Sequence, residues 1–297
     1  MSTSVSSGVK VITDSYNKGR ISEARLSRSV KKILSLKAKS GLNNYMEIKP
    51  KNILKKVNTP KDSLLYSKAM ESAITLVKNN DEILPLSTNK KYLHVSFGKN
   101  NNSEYLTNKM DLYVDVERFE SDDYSSIYSK TDYDAIIISY HGSSSSPYAS
   151  NIIPDDIVGK IDNISKSNNV ILNLFLNPYS LNSFESINNF ESIIISYQNN
   201  MISQEISADL MFGVRSFKGK IPVSNDFFRV NHGLTFDKKD ILGFSRPVYE
   251  GLDSEKLSFL DSIALSSIDS MIAPAIQMLV SKNGKVIYNK SFGYHTY

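Results

Sequence analysis

Short apolar runs alternate with helical stretches between residues 61 and 223. The apolar runs predict strands at residues 74–77, 92–97, 112–116, 135–140, 170–176 and 192–197. The stretches around them predict helices at residues 61–73, 103–110, 124–129, 154–165, 179–186 and 203–212. Because strands that are apolar along their whole length are buried on both faces, this alternation indicates a doubly wound α/β fold, with a mostly parallel sheet and helices on both faces.

One amphipathic helix precedes this region. Ser22 can cap the helix at its start, and Gly41 can end it. Its apolar side chains share one face: Leu26, Val30, Ile33 and Leu34. That face needs a partner surface, and residues 1–19 are too short to form a domain. We therefore expect residues 1–44 to belong to a domain that begins upstream of this sequence.

The pattern changes again near the C-terminus. A helix is predicted over residues 252–271. Two strand-like runs at 275–281 and 285–290 flank Asn283-Gly284, a dipeptide typical of a two-residue hairpin turn. One helix and one hairpin are too little for a stable domain, so we expect residues 251–297 to be the beginning of another domain.

Two polar segments are predicted to be linkers. Residues 45–60 are rich in Lys and Asn and contain two prolines, and residues 235–250 carry Gly, Pro and charges with little periodicity. Residues 61–234 are then the one complete domain, between the two partial domains at residues 1–44 and 251–297.

Composition places the chain among ordinary globular proteins. Its 297 residues are 40% hydrophobic and 22% charged, which argues against wholesale disorder. The net charge is only +4 and is spread along the sequence, so nothing indicates a nucleic-acid partner. The apolar runs fall far short of the ~20 residues that a membrane helix needs, and no secretory signal is visible. No membrane span is expected, and the compartment stays open.

The side-chain inventory excludes several kinds of chemistry. The chain has no Cys, which rules out disulfides, thiolate catalysis and Cys-ligated zinc, and its four scattered His leave little for a metal site. No glycine-rich phosphate loop follows a predicted strand, so no cofactor is expected. There is no G-x-S-x-G elbow, and S-x-x-K carries little information in a chain so rich in Ser and Lys. No catalytic residue and no metal ligand are assigned.

Two loops at the carboxyl ends of predicted strands form the candidate binding site. In doubly wound sheets, ligands bind outside these strand ends. The loop after the strand at 135–140 offers Tyr140, His141, Gly142 and Ser143. The loop after the strand at 92–97 offers Gly98 and Asn100. The alternative, that both are solvated polar loops without a ligand, stays open.

Three stretches together resemble one enzyme family. Residues 18–42, KGRISEARLSRSVKKILSLKAKSGL, resemble the last helix of the (β/α)8 barrel domain in glycoside hydrolase family 3. Residues 69–86, AMESAITLVKNNDEILPL, resemble the opening of that family's second domain, an α/β sandwich. Later landmarks of the sandwich are similar to NPY at 177–179, ADLMFG at 208–213 and GKIPVS at 219–224. The resemblance covers roughly residues 10–234 and implies the sandwich fold.

The C-terminal tail resembles a second family. GLDSEKL at 251–257, VSKNGKVIY at 280–288 and FGYHTY at 292–297 are similar to the opening of a serine β-lactamase-like hydrolase domain. In bacteria such a domain is sometimes fused behind a family 3 enzyme of the β-N-acetylhexosaminidase type, which is typically exported to the cell envelope or periplasm. The resemblance thus implies two partner domains in a parent protein, a barrel before this sequence and a serine hydrolase domain after it.

The same resemblance places the catalytic groups outside this sequence. The family's nucleophilic Asp lies on the barrel, and so does the Asp-His acid/base pair of the hexosaminidase branch. Other branches carry an acid/base Glu on a loop of the second domain, but residues 140–151 contain no carboxylate. We therefore expect a non-catalytic portion of an enzyme that hydrolyses N-acetylhexosamine glycosides.

Two other functions stay open. The chain could be a stand-alone carbohydrate-binding or scaffold module, in which the loops around Gly98 and His141 hold a sugar without cleaving it. It could also be a serine hydrolase or esterase, although the missing nucleophile motif counts against this function.

Overall fold

The computed structural model describes residues 4–47, 50–98, 103–143 and 152–294. The chain divides into two compact units, residues 1–56 and 57–297. The helices are α1 (Val5–Asn17), α2 (Glu23–Lys39), α3 (Ile53–Val57), α4 (Pro60–Ala73), α5 (Glu104–Met110), α6 (Asp155–Ser165), α7 (Met201–Met211), α8 (Ser254–Leu257) and α9 (Phe259–Asp269). The strands are β1 (Thr75–Asn79), β2 (Tyr92–Phe97), β3 (Val116–Arg118), β4 (Ala135–His141), β5 (Val170–Phe175), β6 (Phe190–Ile195), β7 (Gly243–Phe244), β8 (Ala275–Lys282) and β9 (Lys285–Gly293).

The first unit is built from helices. As the sequence predicts, Ser22 caps α2 by accepting a hydrogen bond from the backbone N–H of Arg25 at 3.2 Å. No element is predicted for residues 1–19, but the structure has α1 there, with Ser4 as its N-cap. No residue of α1 or α2 is buried, and Ile33 of the apolar stripe is half exposed.

The centre of the second unit is a six-stranded sheet with strand order β1-β6-β5-β4-β2-β3. Five strands are parallel, and β1 runs antiparallel to β6 at the edge. This order confirms the predicted doubly wound, mostly parallel sheet. β4 and β5 are buried at every residue, as expected for strands covered on both faces.

Two apolar cores cover the two faces of this sheet. Because successive side chains of a strand point to opposite faces, Ile137 of β4 enters one core and Ile136 and Ile138 enter the other. The first core includes side chains of α4, α5 and α7. The second core includes side chains of α6 and of a 3-10 helix, Pro178–Ser183. Helices therefore lie on both faces.

Several predicted elements differ in the structure. The predicted strand at 112–116 is wrong because the backbone N–H groups of Tyr113 and Val114 donate to the Met110 carbonyl at 2.8 and 3.1 Å, which continues α5 as a turn. The pairing strand, β3, begins only at Val116. The predicted helix at 252–271 is divided at Ser258 into α8 and α9.

The C-terminal region forms a small second sheet within the same compact unit. Its strand order is β7-β9-β8, with β8 and β9 as an antiparallel hairpin and β7 parallel to β9. The predicted linker at 235–250 contains β7 and a 3-10 helix, Pro247–Glu250, whose residues Tyr249 and Glu250 are buried. This segment is therefore packed, and the domain boundaries of a parent protein stay a prediction. Within the described ranges, no helix is long and apolar enough to cross a membrane.

Candidate functional site

The carboxyl ends of three parallel strands meet at one edge of the large sheet. Phe97 of β2 pairs with Tyr140 of β4, and His141 pairs with Phe175 of β5. Gly98 directly follows β2. The sheet therefore brings Gly98, Tyr140 and His141 together, as the rule for parallel strand ends predicts.

Two glycines allow this edge to close tightly. Gly98 has a φ of +119°, and a Cβ at this position would lie 2.2 Å from the carbonyl oxygen of His141. A Cβ at Gly142 would lie 2.0 Å from Cδ2 of Leu176. Gly98 thus requires glycine for close backbone packing, whereas at Gly142 the close neighbour is the Leu176 side chain.

The other predicted residues of the two loops have different surroundings. Ser143 is exposed, and Tyr140 is buried in the core that also contains Leu174. Asn100 lies outside the described residues. The expectation that the Tyr140 side chain lines a binding loop is therefore not met, because it packs against apolar neighbours of the sheet.

The imidazole of His141 is fully buried at the end of β4. Its Nε2 lies 2.8 Å from Oγ of Ser139, and its Nδ1 lies 2.9 Å from Oδ1 of Asn199. The ring also stacks on Phe175, with centroids 4.7 Å apart and planes 16° apart. Both ring nitrogens thus have partners inside the protein, so His141 is part of the polar core rather than of a ligand-facing surface.

His141 belongs to a buried chain of hydrogen bonds that reaches a second histidine. Ser139 also lies 2.7 Å from Nε2 of His94 on β2. At the other end, Gln204 of α7 donates from Nε2 to Oδ1 of Asn199 at 2.9 Å. His94 is not among the residues predicted from the sequence, although its place inside an otherwise apolar strand is a signal for a buried partner.

A backbone N–H sets the direction of this chain. Leu106 can only donate, at 3.1 Å, to Oε1 of Gln204, which leaves the Gln204 amide nitrogen to donate to Asn199. Asn199 Oδ1 then accepts from Nδ1–H of His141, and the Nε2 of His141 accepts from the Ser139 hydroxyl. Since that hydroxyl has one proton, it must accept from Nε2–H of His94.

Burial keeps both histidines neutral. It lowers the pKa of His94 to about 3, with smaller contributions from His141 and Arg118. It lowers the pKa of His141 to about 4, against a small opposing effect of the hydrogen bond with Asn199. A neutral His141 fits the direction of the chain, because its Nδ1 donates to Asn199 and its Nε2 accepts from Ser139.

A second polar cluster surrounds Asp209 of α7, which the sequence analysis missed. Its buried carboxylate accepts hydrogen bonds from the Tyr113 hydroxyl at 2.7 Å and from Nε of Arg215 at 2.8 Å. The ammonium of Lys109 lies 3.0 Å away. Removing a carboxylate from water costs on the order of several kcal/mol. Around Asp209, cations and hydrogen-bond donors take the place of that water.

Arg215 extends this cluster into the C-terminal region. Its Nη1 donates to Glu71 of α4 at 2.5 Å, and its Nη2 lies 3.9 Å from Oε1 of Glu250. The same Glu250 is paired with Lys285 at 3.1 Å and accepts from Nδ2 of Asn283 at 3.0 Å. Charged groups thus join α4 and α7 to the 3-10 helix and to the β8–β9 hairpin.

A signal for this cluster was present in the sequence. Glu205 and Asp209 lie one turn apart on a predicted helix whose other residues are mostly apolar or small. A helix of that composition is buried on all sides, and buried carboxylates need cations. The partners could not be named in advance because they come from remote parts of the chain.

Metal ligands are not clustered among the described residues. Across residues 4–47, 50–98, 103–143 and 152–294, no group of three His, Asp or Glu is arranged to hold a metal ion. The two polar clusters use their own side chains as partners. The hydrogen bonds and ion pairs of the two clusters hold buried strands and helices together.

Comparison with known proteins identifies the fold. No protein-family model matches the sequence, and no curated protein matches it. Among solved structures, the chain is similar to a "Beta-glucoside phosphorylase BglX", with a TM-score of 0.51, 21% identity, and coverage of 74% of this chain and 41% of that one. It is also similar to a GH3 β-glucosidase from Bifidobacterium adolescentis, with a TM-score of 0.51, 20% identity, and coverage of 71% and 35%.

A third similar structure is a β-glucosidase from Listeria innocua in complex with isofagomine, with a TM-score of 0.50, 15% identity, and coverage of 71% and 34%. At these identities the likeness establishes the fold, which is that of a mixed α/β domain found within larger proteins. The chain spans less than half the length of each of the three structures.

Proposed function

We propose that this chain is the non-catalytic C-terminal portion of a glycoside hydrolase family 3 enzyme of the β-N-acetylhexosaminidase type. The observation that carries the proposal is the α/β fold itself, which three carbohydrate-active proteins share over about 70% of this chain. The family motifs at residues 69–86, 177–179 and 208–213 support the same assignment. In this proposal a barrel domain of the parent protein supplies the chemistry.

The carboxylates of the sandwich support a non-catalytic role. Glycoside hydrolysis with retention needs two carboxyl groups about 5–5.5 Å apart, one of which must be free to carry a proton. Asp209 and Glu250 are each paired with Arg215 and with a lysine. Residues 140–151, which follow β4, contain no carboxylate at all.

That last absence also favours the hexosaminidase type among the family's branches. A branch with its acid/base Glu on the second domain would need a carboxylate near the strand ends. The resemblance of residues 251–297 to a β-lactamase-like domain favours the same type. The proposed partners are therefore the barrel and serine hydrolase domains of the parent protein, the substrate is an N-acetylhexosamine glycoside, and the proposed location is the bacterial cell envelope or periplasm.

A direct assay tests whether the chain lacks glycosidase activity. The purified chain is incubated with a chromogenic β-N-acetylglucosaminide and with the matching β-glucoside. We expect no release above buffer from either substrate. Turnover that a single substitution such as Glu205→Gln abolishes, with Asp226→Asn as the exposed control, would overturn the proposal. A serine-reactive fluorophosphonate probe should likewise leave the chain unlabelled.

The flanking DNA gives an independent test of the parent protein. Upstream codons should encode a barrel domain that carries the nucleophilic Asp. Downstream codons should encode a helix that carries a Ser-x-x-Lys motif. Stop codons immediately on both sides, in frame, would favour the stand-alone module instead.

A further inference from the structure

A cavity of about 390 Å³ lies between the large sheet's helices and the C-terminal sheet. One wall is formed by Tyr105 and Asn108 of α5, and the opposite wall by Tyr288 and Asn289 of β9. Glu205 of α7 and Arg246, which follows β7, also line it. We call this cavity the hairpin groove. Its volume falls in the range typical of small-molecule sites.

The charged groups of the groove form one pair that a ligand can reach. Arg246 donates from Nε to Oε1 of Glu205 at 2.7 Å, and its Nη2 lies 2.7 Å from the same oxygen. This geometry leaves Oε2 of Glu205 and Nη1 of Arg246 outside that pair. The Glu205 side chain is 11% exposed and that of Arg246 is 47% exposed, so the pair is anchored on one side and open on the other.

A third group near the pair lacks a partner. The hydroxyl of Tyr249 is buried and has no hydrogen-bond partner among the described residues. Tyr249 lies three residues after Arg246 on the 3-10 helix, and the charges of Glu205 and Arg246 both act on its hydroxyl. Buried polar groups without partners are rare in folded proteins. Tyr249 does not itself line the groove, so its hydroxyl marks an unsatisfied position beside the ion pair and not a ligand contact.

The other cation of the groove is already used. The ammonium of Lys109 pairs with Asp209 at 3.0 Å and donates to the carbonyl oxygen of Phe244. An anionic ligand would therefore meet the Glu205 carboxylate with only one cation available, and that cation is already paired. A cationic ligand would meet the Arg246 guanidinium, and the carboxylate that lines the groove, Glu205, is already paired with it. A zwitterion would have to separate Glu205 from Arg246 to use both charges.

A neutral ligand with many hydroxyl groups has neither difficulty. A hydroxyl can donate to Glu205 Oε2 while its neighbour accepts from Arg246 Nη1, and the ion pair stays intact. The ring of such a ligand can lay its C–H face on an aromatic side chain such as Tyr105, and its outer hydroxyls can reach the amides of Asn108 and Asn289. We propose that the hairpin groove binds a neutral, polyhydroxylated ring of hexopyranose size.

This site is separate from the strand ends near Gly98 and His141, because its residues come from α5, α7 and the C-terminal sheet. The inference does not rest on the proposed function. A scaffold without glycosidase ancestry could carry the same groove, and a family 3 sandwich could lack binding there.

Calorimetric titration of the full chain with methyl β-D-glucopyranoside tests the proposal. We expect saturable binding with a dissociation constant of about 1 mM, the weak range suited to one small neutral ligand. Asn289→Ala and Tyr105→Ala should each weaken binding about fivefold or more, which corresponds to about 1 kcal/mol. The matched controls, Asn189→Ala and Tyr45→Ala, change exposed residues elsewhere and should leave the affinity unchanged.

Three outcomes would overturn the proposal. The first is the absence of binding at about 50 mM sugar, well above the expected constant. The second is sugar binding that neither groove variant weakens, since the site would then lie elsewhere. The third is tighter binding of glycylglycine than of the sugar, lost in Asn289→Ala, since the groove would then select a zwitterion. Far-UV circular dichroism of each variant separates loss of binding from loss of fold.

Discussion

Acidification should destabilise the large sheet through His94 and His141. In the folded protein burial lowers their pKa values to about 3 and about 4, whereas an unfolded histidine has its ordinary value of about 6.5. Between these values the unfolded chain binds more protons than the folded chain. The stability that the neutral histidines contribute is therefore fully present above about pH 6.5 and is lost as the pH falls toward 4 and then 3.

The size of the effect follows from the pKa difference. At about pH 5 the unfolded histidines are almost fully protonated while both folded ones are still neutral, and the gap of about 1.5 units corresponds to about 2 kcal/mol for each. Both together give about 4 kcal/mol, a large share of the roughly 5–15 kcal/mol that stabilises a typical domain. The side chains that lie within 3.5 Å of the ring nitrogens are neutral: Thr107, Ser139, Asn199 and Gln204.

The assay is urea unfolding followed by far-UV circular dichroism, because the chain contains no Trp for fluorescence. The free energy of unfolding is measured at about pH 7.5 and about pH 5 for the parent and for His141→Gln, whose neutral side chain can still donate and accept a hydrogen bond but cannot titrate. The parent should lose about 4 kcal/mol between the two conditions and the variant about 2 kcal/mol. Asn189→Gln, an exposed control, should behave as the parent does.

The difference between the parent and His141→Gln isolates the contribution of His141 to the pH dependence, because the carboxylates titrate equally in both proteins. Equal losses in the parent and in His141→Gln would refute the reasoning, since they would mean that His141 does not stay neutral in the folded state. A parent that is as stable at the lower pH as at the higher one would refute it for both histidines.

Three further changes test the packing described above by the same unfolding assay. Gly98→Ala should cost about 2 kcal/mol or more, because its Cβ would lie 2.2 Å from the His141 carbonyl oxygen at a φ of +119°; an unchanged midpoint would contradict the close approach. Asp209→Asn should cost about 3–5 kcal/mol, because it removes the carboxylate that pairs with buried Lys109 and one of the carboxylates that pair with buried Arg215, while Asp226→Asn at the surface should cost little, and equal effects would count against the buried cluster. Tyr249→Phe should be neutral or slightly stabilising, by up to about 1 kcal/mol, because it removes a hydroxyl that has no partner in the described part of the chain; a clear loss would mean that this hydroxyl has one.

The sequence predicts the main sheet well because its strands carry their own signal. β2 and β4 are short, apolar and flanked by helical stretches, and their predicted bounds differ from the structure by at most one residue. The strand predicted at 112–116 failed because Tyr113 and Val114 are apolar for another reason: they cover the end of α5 and pack on the first core. Apolar character marks burial, and it does not by itself distinguish a strand from a packed turn.

In the candidate site, too, one part could be predicted from the sequence and another part could not. That Gly98 and His141 lie together follows from parallel topology, which a sequence pattern can reveal. That His141 is enclosed by Asn199 and Gln204 depends on a loop and a helix about sixty residues away, whose approach no local pattern specifies. The same holds for the pair of Arg215 with Glu71, which are separated by 144 positions.

The chain of hydrogen bonds that begins at Leu106 makes two histidines report on the docking of a helix. While α5 holds its place, His141 must carry its proton on Nδ1 and His94 must carry its proton on Nε2. If α5 moves away, the Gln204 amide is free to turn over, and every bond behind it can reverse. The two tautomers, which nitrogen-15 chemical shifts distinguish, would then exchange. The tautomers of two imidazoles inside the sheet thus depend on the position of the Leu106 N–H, which neither imidazole contacts.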